Sequence, residues 1–298
     1  MKKLQVWISA CRLRTLPLSI SGAIVGSGVA YSIGLFNLTI FVLTILSTLS
    51  LQILSNLAND YGDGVKGTDN QNRIGPERAL QSGVISPKQM KNAITINVII
   101  CFFLVVTLIY KAFGIDKFLT SFVFIALGAI AIISAIKYTV GTSAYGYKAL
   151  GDVVVFLFFG WLSVLGTYFL YSNQINFSMF LPASSIGLLS AAVLNLNNMR
   201  DFESDKLSNK HTLAGLLGLN NSRYYHLALI LIAMLLMLLY FGLSSEYLLM
   251  MIGFIPLFIH MFIFYKVQTP KNYDPQLKVL ALSTFLVALI FGTIHVLI

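Results

Sequence analysis

Charge is scarce in this chain. Of 298 residues only 10% are Asp, Glu, Lys or Arg, against about a quarter in a water-soluble domain, which needs them to cover its surface. That shortage excludes an ordinary cytosolic enzyme and a disordered protein. Cysteine is equally scarce: Cys11 and Cys101 exclude a disulfide scaffold, match no metal or redox spacing, and read as reduced apolar fillers. No small-residue cleavage site precedes the first apolar run, so no cleaved signal peptide is expected. What is abundant is hydrophobic surface: 57% of residues are apolar and mean hydropathy is +0.82. A net charge of +9 would ordinarily raise the question of nucleic acid. Here too little polar surface remains for a nucleic-acid groove, and the positive charge is better explained by membrane orientation.

Nine runs long enough to cross a bilayer lie near 16–34, 38–58, 92–113, 118–138, 150–171, 178–199, 224–243, 246–265 and 279–298. With the N-terminus in the cytoplasm, eighteen of the twenty basic residues fall on the cytoplasmic side, leaving only Lys111 and Lys117 outside. This positive-inside bias predicts a multi-pass protein of the cytoplasmic (inner) membrane, N-terminus in and C-terminus out. Nine of the eleven acids share the cytoplasmic side. Acidic residues contribute little to orientation, so their placement points to chemistry on that face.

Two cytoplasmic segments stand apart, about 59–91 and 200–223, because long connections in a compact protein are usually functional. Each opens with amides and carboxylates that continue an apolar helix. The first reads Asn56-Leu-Ala-Asn59-Asp60-Tyr-Gly-Asp63-Gly-Val-Lys66-Gly-Thr-Asp69, and the second Asn195-Leu-Asn197-Asn198-Met-Arg200-Asp201-Phe-Glu203-Ser-Asp205. Asn56-x-x-x-Asp60 recurs as Asn197-x-x-x-Asp201, 141 residues on. The pattern predicts a single all-α membrane domain built from two four-helix repeats, about 10–140 and 150–265, with an extra helix at about 279–298.

Residues three or four apart share a helix face, which groups Asn56, Asp60 and Asp63, and likewise Asn197, Asp201 and Asp205. So many like charges at facing helix ends require a compensating cation. Oxygen donors without a Cys or His cluster favour a hard ion such as Mg²⁺, which characteristically shares one or two carboxylates with substrate phosphates. Asp69, Glu77 and Glu203 read equally well as solvated loop charges. Lys66, Arg73 and Arg78 could hold a diphosphate or a carboxylate, with arginine supplying a bidentate fork, or could simply serve orientation. A third polar patch spans Lys137, Tyr138, Tyr145, Tyr147, Lys148 and Asp152. In it Tyr145 and Tyr147 read as interfacial anchors, and Tyr138, at a helix end, as the better candidate for chemistry. His226, His260 and His295 read as satisfied interior residues, and His211 as a loop residue.

These motifs, together with Arg73-Ile-Gly-Pro-x-Arg78, Arg14-Thr-Leu-Pro-Leu-Ser and Tyr145-Gly-Tyr-x-x-Leu-Gly-Asp152, closely resemble the UbiA superfamily of membrane prenyltransferases. The likeness is greatest to the branch whose acceptor is 1,4-dihydroxy-2-naphthoate. The resemblance implies a nine-helix bundle in which Asn56, Asp60 and Asp63 hold one Mg²⁺ and Asn197, Asp201 and Asp205 a second. Asn59, Lys66, Arg73, Arg78, Lys137, Lys148, Asn198 and Arg200 would serve substrate binding, and Tyr138 would join the acids as a catalytic group. It further implies transfer of a polyprenyl group from polyprenyl diphosphate to 1,4-dihydroxy-2-naphthoate, with loss of CO₂ and diphosphate, giving demethylmenaquinone for menaquinone synthesis. The chain departs from the wider superfamily in three places: the third acid of the first motif is Asp69, with Gly67 at the usual position; Leu13 stands in a common Arg-Pro-Arg; and Ser143-Ala144 replaces a basic residue and a proline. Three rival readings fit less well. Another aromatic acceptor, such as 4-hydroxybenzoate, fits the motifs less well. A CDP-alcohol phosphotransferase lacks its Asp-Gly-x-x-Ala-Arg signature here. A transporter would carry its ionisable residues near the bilayer midplane, whereas these lie at helix ends.

Overall fold

The computed structural model describes residues 3–69, 74–242, 244, 246–267 and 269–297. Arg73, expected in the site, lies outside the described residues. Among those described, nine helical segments are long and apolar enough to cross a membrane, and no strand forms beyond a single Lys148–His211 bridge. We label the nine α1 (Leu16–Ser32), α2 (Leu38–Val65), α3 (Pro87–Phe113), α4 (Phe118–Lys137), α5 (Gly151–Ser172), α6 (Phe180–Arg200), α7 (Leu213–Phe241), α8 (Glu246–Lys266) and α9 (Tyr273–Leu297). A short helix, Lys3–Ala10, precedes α1, and another, Phe202–Leu207, follows α6.

Local chemistry explains where these helices depart from the sequence reading. α2 runs seven residues past the apolar stretch: Asn59–Val65 holds no proline, and Gly62 and Gly64, costly by propensity, pack closely on Thr139 and Leu80; the helix stops at Lys66, where Gly67 takes φ +72°. The first carboxylates therefore stand on a rigid helix and not in a loop. α3 starts at Pro87 because Ser86 and Gln89 form a reciprocal capping box, with proline in the first turn where its missing N–H costs nothing. α7 begins eleven residues earlier than hydropathy predicts. Thr212 caps it by accepting from the Gly215 N–H, and Gly218 (φ +76°) kinks the helix just before the polar run Asn220-Asn221-Ser222-Arg223, so that hydropathy alone starts the helix only beyond that run.

Helix contacts follow membrane rules, in which small residues let backbones approach and polar side chains tie helices together. α1 crosses α9 at a glycine pair: a Cβ on Gly28 would lie 2.8 Å from Gly292 Cα. α5 meets α6 at Gly160, where a Cβ would lie 2.5 Å from the Ala183 carbonyl oxygen. That contact falls in a π-helical stretch, Phe156–Leu162, a distortion that often marks a functional wall. His226, His260 and Gln276 link α7, α8 and α9 through contacts of 3.0 and 2.9 Å. The large exposed side chains are apolar, Phe102, Phe103, Phe122, Leu235 and Phe262 among them, as a lipid-facing perimeter requires. The polytopic membrane fold expected from the sequence is the one observed.

The bundle encloses a cavity of about 380 Å³ reaching from α1 to α6. Its depth is lined by Leu108, Ile109, Phe124, Leu127, Phe158, Phe159 and Leu162, and its other end by Asn59, Asp63, Asn197, Asp201, Asp205 and Lys210.

Because Gly28 has no room for a side chain, Gly28→Val should destabilise the bundle by about 1–3 kcal/mol, the usual cost of overpacking. Thermal unfolding in detergent reads this directly as a lowered midpoint.

Candidate active site

On α2 the cavity-facing stripe is Thr48, Gln52, Ser55, Asn56, Asn59 and Asp63, residues recurring at intervals of three and four. Asp60 follows Asn59 by one residue, about 100° around the helix, and is carried off the stripe. It accepts from Arg12 Nη2 at 2.7 Å and faces Arg78 Nε at 3.6 Å, with its carboxylate only 1% exposed. Its second oxygen accepts from the Ala79 N–H at 3.4 Å. Asp60, expected beside Asn56 and Asp63 on the cavity face, thus ties the segment after α2 down against the N-terminal turn, and Asn59 takes the place on the cavity wall. The Asn56 amide lines the cavity but gives its N–H to the Cys11 carbonyl oxygen at 2.9 Å.

The second cluster keeps the grouping that its spacing predicts. Asn197, Asp201 and Asp205 all line the cavity, the last two separated by the first turn of the short helix. Asn198 faces away and is buried. Arg200 is fully buried: its Nε and Nη2 donate to the two oxygens of Asp201 at 2.8 and 2.6 Å, and Nη1 to Asp274 at 2.6 Å. It is therefore a buried counter-ion and not a group open to substrate.

Two residues of the site were not expected there from the sequence. Lys210 stands between the clusters, 3.5 Å from Asp63 and 3.6 Å from Asp205. Burial works against its charge, but the two carboxylates outweigh that and hold the amine above its ordinary range. It arrives there because the chain turns back after Leu207, with Asn209 at φ +52° and the Lys210 N–H donating to the Asp205 carbonyl oxygen at 2.9 Å. Tyr147, read as an anchor, donates to Asp63 at 2.7 Å while Lys66 sits 3.9 Å over its ring. The positions of Lys210 and Tyr147 depend on loop paths that leave no periodic signal. The α4–α5 and α6–α7 loops are joined by the Ala149 N–H and the His211 carbonyl oxygen at 2.7 Å, which closes the polar mouth.

Tyr138 and Arg78 line the cavity, whereas Lys66, Lys137 and Lys148 are exposed and do not line it. Burial pushes the Tyr138 phenol above its ordinary range, so it stays protonated and can donate a hydrogen bond but not accept a proton. Burial also pushes Asp205 up to about 6, against the pull of Lys210.

Among the described residues no three acids, histidines or cysteines converge closely enough to cage an ion. The donors nevertheless suit Mg²⁺, which rarely has an all-protein cage and takes its remaining ligands from substrate phosphate. Carboxylate and amide oxygens line both sides of the mouth, and Asp205 Oδ2 is buried without a hydrogen-bond partner.

The profile of the UbiA prenyltransferase family matches residues 19–294. The chain belongs to this family. It is 39% identical over 98% of its length to the 1,4-dihydroxy-2-naphthoate octaprenyltransferase of Haemophilus influenzae, covering 96% of that protein. It is 45% identical over 76% of its length to the enzyme of that name from Escherichia coli K12, covering 73% of it. A UbiA homologue from Archaeoglobus fulgidus, solved with DMAPP and Mg²⁺, shares the fold: TM-score 0.66 at 16% identity, over 98% of this chain and 99% of that one.

Two outcomes follow for the acids. Asp60→Asn removes the carboxylate from a buried ion pair and should cost about 3 kcal/mol of stability, seen as a lower unfolding midpoint in detergent. In metal-free protein Asp205 should be charged above pH 6 and neutral below it, since burial raises its value; ordinary carboxylates stay charged to about pH 4. A carboxyl infrared band that grows in as pH falls through 6, and is reduced in Asp205→Asn, would verify this. Lys210→Gln should move that band to higher pH.

Proposed function

We propose that this chain is a membrane prenyltransferase that transfers a polyprenyl group from polyprenyl diphosphate to 1,4-dihydroxy-2-naphthoate, with loss of diphosphate and CO₂. The product is the reduced form of demethylmenaquinone, which places the enzyme in menaquinone synthesis. The observation that carries this reading is one cavity with an acid- and amide-lined mouth and an apolar depth, in a chain whose relatives bear that activity in their names over nearly its full length. A prenyl diphosphate is amphipathic in the same sense: its charged head belongs at the membrane edge and its hydrocarbon tail in the bundle.

The residues divide the work. Asn56, Asn59 and Asp63 on one side, and Asn197, Asp201 and Asp205 on the other, are the groups that would hold Mg²⁺ with the diphosphate. Bound there, the ion supplies charge neutralisation to the departing diphosphate. Lys210, already charged between Asp63 and Asp205, adds positive charge at the same place, and Arg14 and Arg78 line the adjoining wall. Tyr138 donates a hydrogen bond into the mouth and takes no proton. As the C–O bond to diphosphate breaks, the allylic carbon becomes cation-like; Phe158, Phe159 and Leu162 keep water from it. The electron-rich ring attacks through the carbon bearing the carboxylate, and that carbon then loses CO₂ to restore the aromatic ring. Asp60 acts at one remove, keeping Arg12 and Arg78 in place.

The two four-helix halves we take as a repeat, with α9 added. The charge bias assigns the site to the cytoplasmic face of the cytoplasmic membrane, N-terminus inside.

Membranes containing the protein, supplied with 1,4-dihydroxy-2-naphthoate, a short prenyl diphosphate and Mg²⁺, should form a prenylated naphthalenediol lacking the carboxyl group, identified by mass spectrometry and lost with EDTA. Asp63→Asn and Asp201→Asn should each lower turnover by about a hundredfold or more, as loss of transition-state charge stabilisation does. A product with 4-hydroxybenzoate and none with the naphthoate would keep the site and overturn the acceptor.

A further inference from the structure

The last helix, α9, lies outside the two halves taken above as a repeat, yet its first turn reaches the second acid cluster. Asp274 on α9 accepts from Arg200 Nη1 at 2.6 Å and lies 3.4 Å from Arg14 Nη1 through its other oxygen. Arg200 spends its remaining donors on both oxygens of Asp201, at 2.8 and 2.6 Å, and on Asn197 Oδ1 at 2.9 Å. One fully buried guanidinium thus serves two carboxylates, only one of which faces the cavity. α9 lines the cavity through Leu277 and Ala281, and Asp274 does not line it.

That sharing has an energetic consequence. Asp201 can engage a cation only to the extent that it loosens its bidentate hold on Arg200. The cost of loosening depends on what else balances the buried guanidinium, because an unpaired buried charge is strongly unfavourable. Asp274 is that second balance. Arg14 works in the opposite direction, drawing Asp274 away from Arg200 and adding positive charge nearby.

We propose that Asp274 is a positioning residue: by sharing Arg200 it frees Asp201 to take a divalent cation, and so sets the metal affinity of the site from a helix outside the two halves. The proposal rests on the reading of Asp201 as a metal ligand given above. Its balance is poised, since each partner of Arg200 is held through the same planar fork and a gain on one side loosens the other.

The test is Mn²⁺ binding to the purified full-length protein in detergent, with inorganic diphosphate supplying the phosphate ligands, followed by electron paramagnetic resonance against a protein-free Mn²⁺–diphosphate blank. The wild type should bind Mn²⁺ and Asp201→Asn should lose it. Asp274→Asn should weaken binding about tenfold, the scale of one charged hydrogen bond, and Asp274→Glu should restore most of it. Arg14→Gln should tighten binding, a shift of opposite sign that a purely structural tie between helices would not produce. It also keeps the question open to experiment if Asp274→Asn fails to fold. Loss of Mn²⁺ in Asp201→Asn with wild-type affinity in Asp274→Asn overturns the role of Asp274 alone, as does unchanged affinity in Arg14→Gln. A wild type that binds no Mn²⁺, or an Asp201→Asn that binds it normally, overturns the metal reading of Asp201 and this proposal with it.

Discussion

The arrangement depends on Lys210, a buried ammonium held between carboxylates from two different helical segments. Asp63 and Asp205 approach one another across the mouth of a cavity whose other walls are hydrocarbon, where like charges repel far more strongly than in water. Lys210 answers that repulsion with one cation, 3.5 and 3.6 Å from the two acids. The loop that delivers it packs against the loop between α4 and α5, and Tyr147 of that loop donates to Asp63. Charge balance and the closure of the cavity mouth are therefore a single feature.

Around this centre the arginines divide into two tiers. Arg12 and Arg78, which line the cavity, neutralise Asp60 beside the first cluster, and Arg200, fully buried, neutralises Asp201 behind the second. Each cluster so has carboxylates already balanced by guanidinium, and oxygen donors held in place work best toward a departing charge when they need reorganise little. The asymmetry is also clear: Asp60 is used up in its ion pair, whereas Asp201 faces both its arginine and the cavity.

The apolar depth answers a second constraint. A cation-like allylic carbon survives only where water is absent, and a lipid-embedded bundle provides such a space without a lid. Small residues make it possible: Gly160 brings α5 against α6, and the π-helical stretch turns Phe158, Phe159 and Leu162 into the cavity. The same side chains that would be a liability on a soluble surface are here the wall of the reaction chamber.

Composition and run length determined the membrane fold and the nine spans found among the described residues, because both follow from the cost of placing polar groups in hydrocarbon. Spacing brought Asn197, Asp201 and Asp205 to the same cavity wall, although the helix breaks at Asp201 and Asp205 stands on the short helix that follows. It was less reliable at Asp60, whose angular position lies at the edge of the stripe, so that the nearby guanidiniums of Arg12 and Arg78 decide where it turns. Lys210, Tyr147 and Asp274 were beyond any spacing argument. The first two are placed by loop paths, and Asp274 by the packing of α9 on α1 through Gly28 and Gly292. Local patterns determine which residues can stand together on one helix; only tertiary packing decides which charges from distant segments become partners, since that depends on the paths between helices.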